Sequence, residues 1–328
     1  MANLSTRFFG LELKSPVIAA SSSMTGQIDQ IKKIAQAGAG AVVLKSLFEE
    51  EIYFQLREEL NERKELVADP EYLDYFDYVI KEENLNKYTR LISEAKAAVD
   101  IPVVASVSCI SSSEWTLFAR KLQDAGADAL ELNLFVIPSD PGKSNEANEQ
   151  FYFDTVRKVL DVVSIPVTIK ISHYFSNLAR LVHQLSQTGI AGITLFNRFY
   201  SPDIDIENET LISADVLSEK KEYLLPLRWT GILSDRAGCP LAATTGIHDA
   251  ETAVKFLLAG AGAVQLASVL YREGPEAIRR TNDGIAKWME TKSYSSIDDF
   301  KGKLSIRTDH ATAYERVQFM SHFGGTNY

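Results

Sequence analysis

The sequence predicts an α/β protein, a (β/α)8 TIM barrel of parallel strands ringed by helices, on three observations. Short apolar runs alternate with stretches of helical spacing along most of the chain, which implies parallel pairing. The runs number eight and recur at even intervals. The length of 328 residues suits one such barrel with insertions, since about 250 residues is typical of the fold. An open doubly wound sheet is the competing architecture. The even spacing and the count favour the barrel.

The first run is PVIAAS, residues 16–21, followed by helical spacing over 27–37 and a stop at Gly38. AVVLKS, residues 41–46, is the second strand. A charged stretch, 48–86, contains Glu49-Glu50-Glu51 and EYLDYFDYV and reads as an excursion outside the core. Residues 87–99 read as the helix that returns to the barrel. Strand 102–107 precedes helix 113–125, with Ser112 or Ser113 as its cap. Strand 129–134 precedes helix 145–163, strand 166–171 precedes helix 176–188, and 192–197 is the sixth strand. A second excursion, 198–221, leads to helix 222–235 despite Pro226. Strand 240–245, helix 248–259, strand 263–268 and a closing helix over 274–291 complete the set. Residues 1–307 read as one barrel domain and 308–328 as a C-terminal tail. In that tail HATAYERVQFM has the look of a surface or subunit-contact helix.

Composition narrows the function. Hydrophobic content of 45% and charged content of 24% are those of a globular protein. The net charge of −10 argues against nucleic acid or an anionic membrane as the main partner, leaving a small-molecule substrate. Cys109 and Cys239 are far apart and have no metal or redox spacing. A reducing, cytoplasmic setting is the simplest reading. No secretory signal and no membrane-length apolar run is visible. The five histidines lack ligand spacing, so no metal site is expected.

Barrel chemistry sits at the C-terminal strand ends, so polar residues there are the informative ones. They are Ser21, Lys45, Ser46, Ser106, Asn133, Lys170, Ser172, Asn197, Thr245 and Ser268. Alternation puts Glu131 and Asn133 on one face of strand four, and Thr168, Lys170 and Ser172 on one face of strand five. A lysine in a barrel mouth is costly unless it meets an anion or another acceptor. Lys45 and Lys170 therefore point to an electron-rich ligand, or each pairs with a carboxylate such as Glu131. Asn133 and Asn197 either contact a ligand or bond loop backbone. The loops Thr244-Thr245-Gly246 and Ala267-Ser268 carry small residues that let backbone N–H groups approach an anion, the recipe for a phosphate cradle. An ordinary βαβ turn would need the same small residues.

These stretches resemble the dihydroorotate dehydrogenase family, most closely its class 1 members. The likeness covers about residues 3–307, through SPVIAASS, GAGAVVLKS, GADALELNL, PVTIKIS, GITLFNR, AETAVKFLLAGAGAVQLASVLYREGP and KSYSSIDDFKGKL. It implies an FMN-dependent oxidoreductase with the flavin across the barrel mouth. It implies that Thr245 and Gly246 stand at a Gly-Gly pair binding the FMN phosphate, with Ala267 and Ser268 at a Gly-Thr pair opposite. Ala20 and Ser21 would line the flavin, Lys45 and Ser46 would touch its ring edge, and Lys170 would bond its ribityl chain and ring. Asn133 would sit at flavin and substrate, and Asn197 would hold a pyrimidine. A homodimer is implied as well.

Departures concentrate at the substrate end. Where class 1 members read NLSCPN, with the cysteine as proton acceptor, this chain reads NLFVIPS and places Val136 at or beside the cysteine. Ser139, Asp140 and His173 are the nearest replacements, and Ser139 is taken as the candidate base. RKELVAD, 63–69, replaces the NSMGLPN substrate loop, and SEKK, 218–221, replaces a glycine-rich turn near the flavin. Arg198 follows Asn197 and offers a new anion fork. The expectation is hydride transfer from a dihydropyrimidine-like substrate to FMN. The alternatives are a flavin-binding protein lacking its base, or a lyase or aldolase barrel using Lys170 as a Schiff-base nucleophile. The cradle also requires that the local φ angles suit non-glycine residues.

Overall fold

The computed structural model describes residues 2–62, 70–109, 114–198, 201–307 and Tyr314. Eight strands form the barrel: β1 (Val17–Ala19), β2 (Ala41–Val43), β3 (Val103–Ser108), β4 (Ala129–Asn133), β5 (Val167–Ile171), β6 (Gly192–Leu195), β7 (Leu241–Thr244) and β8 (Ala263–Leu266). Each pairs in parallel with the next, and β8 pairs with β1 through Val264 opposite Val17, so the ring is closed. The fold is the predicted (β/α)8 barrel. The strands are short and almost wholly buried, because helices cover one face and the barrel interior the other. That double burial is why they read as continuous apolar runs.

The outer helices are α1 (Ile28–Gln36), α2 (Pro70–Ala98), α3 (Glu114–Asp124), α4 (Asn145–Leu160), α5 (Leu178–Leu185), α6 (Leu224–Leu233), α7 (Ala250–Leu258) and α8 (Glu276–Thr291). The stretch after β2 corrects the sequence reading. It is a helix over Glu49–Glu62 followed by α2, whose 29 residues include the predicted return helix as their second half. Pro70 stands at the first helical position, where its missing N–H costs nothing, and no glycine or proline interrupts the run that follows. Leu85, Tyr88, Ile92 and Ala95 are spaced to put one stripe of α2 on the core. Asp249 caps α7 by accepting from the Thr252 N–H at 2.9 Å. The helix therefore starts at Ala250, and His248 stays in the loop before it. After β6 an exposed antiparallel hairpin, Pro202–Asp205 with Thr210–Ser213, occupies part of the second excursion. RKELVAD, the Ser112 and Ser113 caps and the proposed tail helix (Tyr314 apart) lie outside the described residues.

One element was not foreseen. Thr6–Phe8 and Leu11–Leu13 form a hairpin around Phe9 and Gly10, whose φ values of 55° and 70° are both positive, as a two-residue type I′ turn requires. Phe8, Phe9 and Leu13 pack with Ile18, Ala41, Val43, Val104, Ala129, Ala242 and Ala263. This cluster fills the barrel toward the strand N-termini. A side chain at Gly192 would come within 2.7 Å of the Phe8 ring, so the plug itself demands that glycine. With the bottom filled by apolar rings, the cavity is left at the opposite end. No helix among the described residues is long and apolar enough to cross a membrane.

Candidate active site at the barrel mouth

A cavity of about 550 Å³ opens at the C-terminal strand ends, and every barrel strand or the loop after it contributes to its wall. Ala20, Ser21, Lys45, Ser46, Asn133, Lys170, Asn197, Thr245, Gly246, Ala267 and Ser268 all line it. Strand register explains the grouping. Asn133 pairs with Lys170 across β4 and β5, and Lys170 with Thr194 across β5 and β6. Ser139 is not among the lining residues. It is exposed in the loop after β4, where its N–H donates to the Ile137 carbonyl at 2.8 Å. His173 lines a neighbouring cavity instead, packed between Tyr174 and Phe196, and burial holds its imidazole pKa down.

Beneath the mouth lies a polar layer. Glu131 is fully buried, and its Oε2 accepts from Thr194 Oγ1 at 3.0 Å and Gln265 Nε2 at 2.7 Å. Glu131 Oε1, Gln265 Oε1 and Asn133 Oδ1 are buried and have no hydrogen-bond partner among the described residues. Buried polar atoms are ordinarily satisfied, so three unsatisfied acceptors around one cavity mark a place for donors from a ligand. Lys170 makes no ion pair or hydrogen bond through its ammonium among the described residues. Burial holds its pKa below the usual lysine value, opposed by the charge of Glu131. The carboxylate pairing considered for both lysines holds only for Lys45, whose partner is Glu51 at 3.0 Å rather than Glu131.

The rim is rigidified by hydroxyls. Ser21 Oγ lies 2.9 Å from Ser46 Oγ, which lies 2.7 Å from Ser106 Oγ. The Ser106 backbone and the Tyr88 hydroxyl exchange two 3.0 Å hydrogen bonds, tying the chain to α2. Asn197 Nδ2 donates to the carbonyls of Leu134 at 3.3 Å and Lys170 at 3.1 Å, so this amide does bond backbone while lining the cavity. Arg198 is not an open anion fork. It donates to Glu222 at 2.8 and 3.3 Å and to the Val216 and Asp215 carbonyls at 2.6 and 2.9 Å, clamping the loop before α6.

At the cradle, Thr245 has φ 80° and Gly246 φ 72°. A side chain at Gly246 would meet the Tyr223 backbone nitrogen at 2.3 Å, which accounts for the glycine. The non-glycine Thr245 is held in a left-handed conformation, the strain the sequence reading set as a condition on the cradle. Ser218, from the SEKK turn, reaches in and accepts from the Gly246 N–H at 3.3 Å. Sequence reasoning missed Thr194, Gln265 and His248, and noted Ser218 only as part of the SEKK departure near the flavin. Gln265 alone left a local signal, a polar residue in the middle of the apolar run AVQLAS.

Comparison with known proteins agrees with this architecture. The family described as Dihydroorotate dehydrogenase matches residues 73–289. The catalytic subunit of dihydroorotate dehydrogenase B (NAD(+)) from Methanothermobacter thermautotrophicus is 27% identical over 308 residues, 91% of this chain and 97% of the relative. The subunit of the same name from Thermoplasma volcanium is 24% identical over 315 residues, 92% of this chain and 98% of the relative. A putative dihydroorotate dehydrogenase A (fumarate) from Aeropyrum pernix is 25% identical over 309 residues, 91% of this chain and 96% of the relative. With a closed eight-stranded barrel, a polar mouth and a family match over most of its length, this chain belongs to the dihydroorotate dehydrogenase family.

Proposed function

We propose that the barrel mouth binds FMN and that the protein oxidises a dihydropyrimidine-like substrate, with dihydroorotate the first compound to test. Membership of the family makes the chain an oxidoreductase acting on CH–CH bonds. The observation that carries the flavin reading is the Lys170 ammonium, without a partner among the described residues, in one cavity with the equally unpartnered oxygens of Glu131, Asn133 and Gln265. A flavin ring offers acceptors for the first and an N–H donor for the second, and the cavity volume lies within the range of cofactor pockets. FMN, when bound, supplies a hydride acceptor. The residues do the rest. Lys170 places positive charge where the reduced ring gains negative charge, Lys45 and Ser46 border the ring edge, and Ala20, Ser21, Ala267 and Ser268 leave room for it. Thr245 and Gly246 hold the phosphate end. Asn133 and Asn197 orient the substrate.

Ser139 is the proposed proton acceptor, and its exposed position outside the cavity favours one second reading. In that reading the protein binds flavin but has no base within reach. Anaerobic addition of dihydroorotate to the FMN-loaded protein separates the two. Bleaching of the flavin band that slows in Ser139→Ala supports the dehydrogenase. A band unchanged over minutes assigns either a different substrate or the base-less state. The relatives' names give NAD(+) or fumarate as acceptor, and reoxidation of the bleached protein by each tests them here.

A further inference from the structure

We propose that Ser218 binds the phosphate of the cofactor directly and that His248, behind it, takes up a proton when the phosphate docks; this rests on the FMN reading above. Ser218 and His248 are 4% and 8% exposed, deep for a hydroxyl and an imidazole beside a cavity. Ser218, Gly246 and Ser268 line the mouth. Ser218 Oγ accepts from the Gly246 N–H at 3.3 Å, donates to Ser268 Oγ at 3.0 Å and lies 3.3 Å from His248 Nε2. The Ser218 N–H also donates to Ser268 Oγ, at 2.9 Å. Ser268 thus accepts twice, which leaves its own O–H proton to be donated elsewhere. One hydroxyl oxygen therefore gathers a backbone N–H and an imidazole nitrogen beside a serine donor. That is a polar set suited to an anion, and the Ser218 O–H, now given to Ser268, can turn to a phosphate oxygen in the mouth while Ser218 Oγ still accepts from behind.

The surrounding charges assign the proton. Arg272 pairs with Glu219 at 2.6 Å, Lys220 with Asp249 at 3.1 Å, and Glu222 with Arg198 at 2.8 Å. Arg272 and Lys220, the cations that act on His248, each have a carboxylate, and among the described residues His248 has none. Burial, then Arg272 and Lys220, hold its imidazole pKa below the ordinary value, opposed by the Ser218 backbone and Glu219. A dianion arriving at Ser218 reverses that balance and favours the imidazolium. The phosphate itself has the opposite effect on protons. A phosphomonoester with a second pKa of about 6 releases protons if it is bound as the dianion. Net uptake therefore reports the histidine.

The test is calorimetric titration of FMN and of riboflavin into the full chain at pH 7.5, in phosphate-free buffers of different ionisation enthalpy. Expected are uptake of several tenths of a proton per FMN, none with riboflavin, and none with FMN in His248→Gln. Ser218→Ala is expected to weaken FMN by ~10-fold or more, as loss of a hydrogen bond to a charged group does. It should leave riboflavin within about twofold, and Ser218→Thr should restore FMN affinity. Circular dichroism confirms that each variant is folded. FMN binding without proton uptake, the same uptake in His248→Gln, or a Ser218→Ala that binds FMN as well as or better than wild type would each overturn the proposal while leaving the flavin reading standing. If neither flavin binds the wild-type protein, the flavin reading fails and this proposal with it.

Discussion

Replacing Thr245 by glycine should stabilise the protein, although such a change at a strand end ordinarily weakens it. Thr245 follows β7 at φ 80°, a region that costs a β-branched L-residue about 1–2 kcal/mol. Glycine removes that cost. Against it stand the greater chain entropy of glycine when unfolded, about 0.4–1 kcal/mol, and the loss of a half-buried methyl, roughly 0.4 kcal/mol at half of a buried CH₂. The Thr245 hydroxyl makes no hydrogen bond among the described residues, so no further loss enters. The net runs from about −0.4 to +1.2 kcal/mol, centred about 0.4 kcal/mol in favour of glycine. Thr245→Ala keeps the Cβ in the left-handed region and loses the methyl, so it should lie about 0.5 kcal/mol below wild type. Urea unfolding of the unliganded protein, with equal slopes, reads the order glycine, wild type, alanine. A glycine variant at least 1 kcal/mol less stable than the alanine variant would refute the reasoning, because strain at Thr245 would then be negligible.

Two further variants probe the same mouth. Lys170→Met removes a half-buried ammonium that has no partner among the described residues. Its folded pKa lies below the ordinary lysine value of 10.5, so the unfolded chain binds more protons in that window and stability rises with pH toward 10.5. The difference in stability between wild type and Lys170→Met should show that rise, measured by denaturation from pH 7 upward, and a pH-independent difference would refute the burial argument. Gly246→Ala combines φ 72° with a 2.3 Å approach to the Tyr223 backbone. It should cost about 2–3 kcal/mol and shift the turn that carries Ser218, and a loss under 0.5 kcal/mol by the same assay would contradict the packing described.

The parts of the fold that were legible are those in which burial writes a local pattern. β3, β4 and β5 lie inside both barrel and helix layer, so VVASV, ALELN and VTIKI announce themselves. Their polar endings, Ser106, Asn133 and Lys170, are visible for the same reason, as interruptions where apolar residues would otherwise pack. What stayed hidden depends on contacts far apart in sequence. Glu131 meets Gln265 across 134 positions, and Ser218 meets Ser268 across 50; neither leaves a local period. Arg198 looked like a ligand fork because its nearest acceptors, Glu222 and the carbonyls of 215–217, lie in a turn with no regular spacing. The hairpin plug was missed because its strands are three residues long, although Phe9-Gly10 marks its turn. The helical character of Glu49–Glu62 and of the first half of α2 was masked by charge, which on a helix outside a barrel is the solvated face.

The central claim is that the barrel mouth of this family member still holds FMN. Titration of the 328-residue chain with FMN, followed by flavin fluorescence and absorbance, tests it most directly. Saturable quenching with one flavin per chain, weakened by ~10-fold or more in Lys170→Met, is the predicted result. An unshifted flavin spectrum with no saturation up to about 100 μM FMN, weaker than roughly 5–6 kcal/mol of binding, would contradict it.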